Sequence, residues 1–216
     1  TFALTKSTVA NPAHVDAGGD AFVNQWETSP WTTLNVVPTA GDAINSVTIS
    51  GVDALSNAIS AVATWNGFGY GFDAAQFADG PLTVTVNVTG VSGTAVDAAP
   101  VTLTKDTVIG GVASVNVGGD AFIDATEVST TTALNLARRD AGDMVQSVQV
   151  TGLAPGGWWN WVNATQDAAG NWVFDATQFM DGNLTVYACT TDVAGNVRWD
   201  AFALTKSTVA VGTVHA

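Results

Sequence analysis

The sequence predicts an all-β protein made of two consecutive β-sandwich domains. Two observations carry this prediction. The chain of 216 residues repeats itself at a spacing of about one hundred residues, and within each repeat apolar and polar residues alternate one by one. Such alternation is typical of strands with one buried and one solvated face. Several short strands within about a hundred residues favour a sandwich.

The repeat is visible in segments that return in the same order. These pairs are Gly18–Phe22 and Gly118–Phe122, Gly41–Asp42 and Gly142–Asp143, Phe72–Phe77 and Phe174–Phe179, and Leu82–Val84 and Leu184–Val186. Their offset grows from 100 to 102 residues along the chain. This drift indicates loops of slightly different length in the two repeats.

A third repeated segment marks the joints between repeats. It stands at Leu4–Val9, Leu103–Val108 and Leu204–Val209, and it holds all three lysines of the chain. We therefore assign a first domain to residues 1–104 with a leading joint at 1–8, a second domain to residues 105–206, and the start of a further joint to residues 207–216. Because residues 2–10 and 202–210 are identical, we expect the tandem array to continue in both directions.

Individual strands can be assigned from the alternation. Leu82, Val84, Val86 and Val88 alternate with polar residues, and similar runs cover Ala43–Ile49, Met144–Val150, Asn171–Phe174 and Leu184–Thr190. The one helical signal is Asp73–Asp79 with its copy Asp175–Asp181. In both, an Asp that can cap precedes a short Ala/Gln/Phe turn that Asp-Gly closes.

Composition narrows the function. Nineteen acidic against six basic residues give a net charge of −13, which repels nucleic acid and anionic membrane surfaces and makes cations the natural partners. No apolar run is long enough for a membrane span, and the start of the sequence lacks the pattern of a signal peptide. The single cysteine excludes an intrachain disulfide, and the scarcity of lysine suits an extracellular chain.

The sequence also predicts that the protein is not an enzyme. His14 and His215 are the only histidines, and neither has a nucleophile motif beside it. Phosphate-binding glycine motifs are absent from the sequence. The many carboxylates lie in segments with turn chemistry, which argues against a glycosidase pair.

Four segments together resemble a known family. They are Lys105–Val108, Gly119–Glu127, Asp181–Val186 and Asp192–Asn196. In their order and spacing the chain resembles the bacterial Ig-like repeats of large surface adhesins and biofilm-associated proteins. The resemblance implies two Ig-like sandwiches joined end to end, an extender role at the bacterial cell surface, neighbouring repeats as partners, and calcium near the joints. Any glycan or host-surface ligand would then be bound by other parts of the parent protein.

The first repeat departs from this pattern at two acidic positions. Ser7 stands where the second repeat has Asp106, and Gly90–Thr94 replaces Asp192–Asn196. Both acids are lost together, as expected if they serve one site. Sandwich topology brings the last turn of a domain to the end at which the chain enters, beside the joint.

We therefore predict a calcium site at the central joint, because calcium takes six to eight oxygen ligands. The candidate ligands of the second domain are Asp106, Asp143, Asp192 and Asn196. The first turn of the first domain adds Asp20, Asn24 and Glu27, whose copies at the far end are Asp120, Asp124 and Glu127. The alternative is that these side chains cap turns and bind no metal.

The tryptophans suggest a second class of function. Trp158, Trp159 and Trp161 cluster after Pro155–Gly157, and the first repeat has no tryptophan at the equivalent place. They could form a glycan- or protein-binding site, or they could pack in the core and at the sheet edge, since large aromatic side chains usually fill cores.

The sequence leaves open whether the side chain of Cys189 is exposed or buried. Its counterpart Asn87 lies on the polar side of a strand, whereas small thiols are commonly buried.

Overall fold

In a computed structural model of the protein, residues 14–90 and 93–209 are described. The leading joint with Ser7, residues 91 and 92 of the last turn of the first repeat, and the tail from 210 with His215 lie outside them. The chain divides into two compact units, Thr1–Val108 and Ile109–Ala216. The described part of the chain has no helix of the length and apolarity that crossing a lipid bilayer requires.

The described residues of the first unit form nine strands. They are β1 (His14–Ala17), β2 (Phe22–Val23), β3 (Thr32–Val37), β4 (Ala43–Val52), β5 (Ala58–Trp65), β6 (Tyr70–Phe72), β7 (Gly80–Thr89), β8 (Ala95–Asp97) and β9 (Val101–Lys105). Strand β5 pairs with β4 along most of its length and with β6 at its last two residues. It thereby links the layer β1-β3-β6 to the layer β4-β7-β9-β2, and β8 pairs with β7.

The second unit repeats this sandwich with two separate sheets. Its strands are β10 (Val112–Asn116), β11 (Phe122–Ile123), β12 (Thr132–Arg138), β13 (Met144–Leu153), β14 (Trp159–Asn163), β15 (Thr165–Gln166), β16 (Trp172–Phe174), β17 (Gly182–Thr191) and β18 (Val197–Lys206). The sheets have the orders β10-β12-β16-β15 and β11-β18-β17-β13-β14. Ala164 interrupts the strand that is continuous as β5 in the first unit.

The all-β sandwich architecture and the predicted alternation are confirmed. Leu82, Val84, Val86 and Val88 on β7 are each at most 1% exposed and face the core of the first unit. Leu184, Val186 and Ala188 on β17 do the same in the second unit. The polar residues between them face away from the core.

The predicted helical turns are confirmed as single 3₁₀ turns. They cover Ala74–Gln76 and Ala176–Gln178, and the side chains of Asp73 and Asp175 cap them by accepting backbone N–H groups. Each turn ends at a phenylalanine that is at most 2% exposed, Phe77 or Phe179. The turn thus inserts one aromatic ring into each core, where it contacts a second phenylalanine ring.

The last strand differs between the units. In the second unit, β18 pairs with β17 over ten consecutive residues. In the first unit the same path is divided into β8 and β9, with Pro100 between them. Proline has no N–H to donate to the ladder, which explains why the pairing stops there.

A short parallel pairing places the first turn of each unit. Strand β2 runs parallel to the end of β9, with Phe22 opposite Thr104 and Val23 opposite Lys105. Strand β11 pairs with the end of β18 in the same way. The segment Gly18–Glu27 therefore lies beside the end of the last strand of its own unit.

Candidate metal site and joint contacts

The first-turn acids form a closed set of local hydrogen bonds. The Asn24 amide oxygen accepts the backbone N–H groups of Trp26 and Glu27, and Glu27 Oε2 accepts the Asn24 N–H at 3.1 Å. Asp20 Oδ1 accepts the Phe22 N–H at 2.7 Å. This reciprocal pattern is a capping box, which satisfies the free N–H groups of a turn.

The copy in the second unit has the same contacts. Glu127 Oε2 accepts the Asp124 N–H, and Asp124 Oδ1 accepts the N–H and the hydroxyl of Thr126. These bonds from Thr126 hold the pKa of Asp124 below its ordinary value. Asp120 Oδ1 accepts the Phe122 N–H at 2.8 Å.

Gly18 is required by this arrangement for two reasons. Its φ of +61° lies in the left-handed region, and a Cβ atom there would stand 1.6 Å from Glu27 Oε1. Gly118 and Glu127 have the same relation. The repeated Gly-Gly-Asp motif and the glutamate nine residues after its first glycine are therefore parts of one turn.

The Asp192–Asn196 loop is also internally bonded. Asp192 Oδ1 accepts the N–H groups of Ala194 and Asn196 at 2.9 Å, and Oδ2 accepts the Asn196 side-chain amide at 2.8 Å. The same bonds recur at Asp53–Asn57 and Asp167–Asn171, two hairpins for which the sequence predicts no metal. In these three hairpins an Asp and an Asn four residues later thus form the same loop.

Asp143 lies at the same end of the sheet as Asp192, because it precedes β13 and Asp192 follows the adjacent β17. Its side chain is 2% exposed and Oδ2 accepts the Gly111 N–H at 2.6 Å. The carboxylate therefore fixes the backbone that leads into β10.

All three arginines of the chain lie around this same backbone, a feature that the sequence analysis missed. Arg139 Nη1 donates to the Gly110 carbonyl at 2.9 Å, and Arg138 donates to the Asp143 carbonyl. Arg198 Nε donates to Asp200 Oδ1 at 2.9 Å. The only sequence signal is that all three arginines belong to the second repeat, where the first has Pro38 and Thr39 in place of the first two.

Asp200 completes this cluster from β18. Its Oδ2 accepts the Val112 N–H at 2.9 Å, and Arg139 Nη1 lies 3.6 Å from its Oδ1. A Cβ at Gly111 would stand 2.3 Å from Asp200 Oδ2, so only glycine allows this approach. The Asp143 carboxylate is thus hydrogen-bonded by a backbone N–H, and the Asp200 carboxylate by a backbone N–H and by the Arg198 guanidinium, with Arg139 close by.

The repeated lysine ties each joint to its own unit. Lys105 is 7% exposed, and its Nζ donates to the Phe77 carbonyl at 2.6 Å and lies 3.4 Å from Asp79 Oδ1. Two residues later, Thr107 donates its N–H and its hydroxyl to the Asp79 carboxylate. We call these contacts the joint latch.

The second unit has the same joint latch. Lys206 Nζ donates to the Phe179 carbonyl at 2.6 Å, and Thr208 donates to Asp181. The backbone N–H of Thr208 lowers the pKa of Asp181. Asp106 lies within the first latch, where its N–H donates to the Val23 carbonyl and its Oδ1 accepts the Val108 N–H at 3.3 Å.

Within residues 14–90 and 93–209, no three His, Cys, Asp or Glu side chains converge on a point that could hold a metal ion. The first-turn residues contact each other, and Asp192 contacts Asn196. The described contacts of these acids are with backbone N–H groups, amides and hydroxyls.

The clustered tryptophans are not core residues. Trp158, Trp159 and Trp161 are 64%, 58% and 59% exposed, so none of the three fills the core, whereas packing along the sheet surface remains open to them. The ring of Trp161 stacks on Tyr187 at a centroid distance of 6.1 Å and an interplanar angle of 11°. The sequence analysis missed Tyr187, which is not adjacent to the tryptophans in the chain.

Cys189 combines both of its expected properties. It pairs with Trp199 and Ser147 on the outer side of β17, and its neighbour Ala188 faces the core. Even so, it is only 9% exposed. This burial raises the pKa of the thiol above its ordinary value.

Solved structures similar to this chain include segments of large bacterial adhesins. A 1.5-MDa bacterial ice-binding adhesin matches with 19% identity over 94% of this chain and 67% of its own, at a TM-score of 0.49. A Ca²⁺-stabilised, ice-binding adhesin of an Antarctic bacterium matches with 21% identity over 95% and 51%, at 0.44. A tetra-tandem repeat from the extending region of a large adhesion protein matches with 26% identity over 92% and 48%, at 0.34.

The chain spans about half the length of the second and third of these structures. Neither a protein-family model nor a curated protein matches the sequence.

Proposed function

We propose that this chain is a non-catalytic extender segment of a large secreted bacterial adhesin, whose repeats lengthen the parent protein. The observation that carries the proposal is the joint latch, which occurs in both units with the same donors and acceptors. An extender needs residues that fix the outgoing chain to each domain. The joint latch does this by holding the linker against the domain that precedes it.

What the two units share and what they do not share supports the same function. They share the capping box of the first turn, the 3₁₀ turn with its buried phenylalanine, and the joint latch. They differ in exposed aromatic residues, in the arginine cluster and in the last strand. The common residues therefore serve folding and linkage, the two requirements of an extender.

We further propose, on the sequence, that calcium stiffens the central joint. A net charge of −13 makes adjacent repeats repel each other, and a divalent ion relieves that repulsion. Asp106 and Asp192 remain the preferred ligands, because the first repeat lacks both acids.

A calcium titration of the full chain by isothermal calorimetry tests this part of the proposal. Extracellular modules bind calcium at about 10⁻⁴ to 10⁻³ M, so a heat signal is expected in that range. Asp106→Ser reproduces the outer joints and should weaken binding at least tenfold. Asp97→Asn changes an exposed acid outside the predicted site and should leave it unchanged. Equal affinities in all three proteins would remove Asp106 from the ligand set.

A further inference from the structure

The second unit carries an aromatic face that the extender function does not require. Its three rings are Trp159 and Trp161 on β14 and Tyr187 on β17, two strands away. In the register of the sheet, Trp161 lies opposite Thr151, and Gln149 lies opposite both Tyr187 and Asn163. Val148, Val150 and Val186, at alternate positions of the same strands, face the core. The three rings therefore lie on the outer side of the sheet.

The two tryptophan rings are available for contact, and the half-buried Tyr187 packs beside one of them. Trp159 and Trp161 are more than half exposed although they belong to a regular strand. Trp161 and Tyr187 are within 11° of parallel. The negative face of an aromatic ring attracts polarised C–H groups, and parallel rings can receive such groups from one extended molecule.

The outer side of this sheet carries no charged side chain at the described positions of β13, β14 and β17 that pair across it. These residues are Ser147, Gln149, Thr151, Leu153, Trp159, Trp161, Asn163, Asn183, Thr185, Tyr187 and Cys189. On a chain of net charge −13 this neutrality is a specific property. The absence of charge on this side favours an uncharged partner. The amide and hydroxyl groups of these residues can form hydrogen bonds with a partner that is rich in hydroxyl groups.

The first unit shows that the fold does not need these aromatic residues. In the equivalent register, Ala58 lies opposite Val52 and Ser60 opposite Ser50, where the second unit has Trp159 opposite Leu153 and Trp161 opposite Thr151. Thr85 stands at the position of Tyr187, opposite Thr48. Two sandwiches with the same framework thus differ by the presence of the aromatic face.

We propose that this face binds an uncharged polysaccharide along the outer side of β14, β13 and β17. Sugar rings have one or both faces lined by C–H groups and edges lined by hydroxyls, which match parallel aromatic rings flanked by amides. Trp199 on β18, 55% exposed and opposite Cys189, extends the same outer side. A second copy of the chain is the competing occupant, and the experiment below separates it from a polysaccharide.

Fluorescence and calorimetric titrations of the full chain test the proposal with cellohexaose, laminarihexaose and xylohexaose as neutral probes and polygalacturonate as a charged one. At least one neutral probe should bind and quench tryptophan emission, and polygalacturonate should not. Trp161→Ser should lower the affinity at least tenfold. It installs the residue that the first unit has, and circular dichroism verifies that the variant is folded.

Two further variants make the test specific. Trp65→Ser removes a tryptophan of similar exposure, 58%, from the first unit and should leave binding unchanged. Ala58→Trp with Ser60→Trp and Thr85→Tyr builds the face on the first unit and should raise the stoichiometry from one to two. The proposal is overturned if none of the neutral probes binds, if Trp161→Ser binds them as well as the parent, or if the face instead mediates a dimer that Trp161→Ser abolishes. None of these results would bear on the extender function.

Discussion

Replacement of Lys105 by methionine tests the joint latch directly. Methionine keeps the volume of the aliphatic stem but removes the amino group that donates to the Phe77 carbonyl. That carbonyl belongs to a residue that is 2% exposed, and a buried acceptor left without its donor costs about 1–3 kcal/mol. The ion pair with Asp79 adds little, because the Asp79 side chain is 32% exposed and such pairs contribute about 0–1 kcal/mol.

The loss should therefore be about 2 kcal/mol in the free energy of unfolding of the first unit. For a domain of about one hundred residues this corresponds to a fall in melting temperature of roughly 10 °C. Hydrogen–deuterium exchange in increasing urea, read by mass spectrometry, separates peptides of the first unit from those of the second. Only the first-unit transition should move.

Lys206→Met provides the matched control. It removes the equivalent contact to the Phe179 carbonyl and should shift only the second-unit transition, by a similar amount. If Lys105→Met unfolds at the same urea concentration as the parent, the buried lysine does not stabilise the joint, and the argument from the shared latch fails.

Three further predictions follow from local geometry. Ser56 has a φ of 64° at the position where the Asp167–Asn171 loop has Gly170. Ser56→Gly should therefore stabilise the first unit by about 0.5–1 kcal/mol, and Gly170→Ala should destabilise the second unit. Urea unfolding measures both effects, and a loss of stability in Ser56→Gly would contradict the reasoning. The hydrogen bond from the Asn171 side chain is the main cause of the lowered pKa of Asp167. A carboxyl whose pKa is lowered in the folded state stabilises the fold at pH values above its unfolded pKa of about 3.9. That contribution is lost as the pH falls through the folded pKa. Unfolding free energy should thus be flat from pH 7 to 5 and fall below about pH 4, with a shallower fall in Asp167→Asn; an equal fall would remove Asp167 from the cause. Cys189 should react slowly with a thiol reagent at pH 8 and rapidly in urea, whereas fast reaction in the folded protein would mean that the thiol is open to solvent.

Local pattern was sufficient for the strands and the capped turns. The alternation along Leu82–Val88 correctly gave the buried side of β7, and the Asp before each Ala/Gln/Phe turn correctly gave its cap. These features depend on residues within a few positions of each other. The same holds for the polar side of β17 on which Cys189 lies.

Long-range contacts were not accessible in the same way. The lysine of each joint was visible as a repeated residue, but its partner is a backbone carbonyl 28 residues earlier, which leaves no side-chain signal. The Arg198–Asp200 pair reaches Val112 across 88 residues. The exposure of Trp161 could not be read from the run Trp158–Trp161, in which an alternating pattern places tryptophans on both sides.

The acids illustrate why residue type alone does not identify a metal site. Asp and Asn in loops are equally suited to calcium and to backbone N–H groups. Asp192 and Asn196 form the same loop as Asp167 and Asn171, for which no metal is predicted. What favours Asp106 and Asp192 as proposed calcium ligands is the sequence: the first repeat lacks both acids.

Small-angle X-ray scattering of the full chain in EDTA and in millimolar calcium tests the proposed extender most directly. A calcium-stiffened joint predicts a larger maximum dimension and a narrower distance distribution in calcium, with the effect reversed by EDTA and reduced in Asp106→Ser. Identical scattering in calcium and in EDTA would contradict the account, because the joint would then gain no rigidity from the ion.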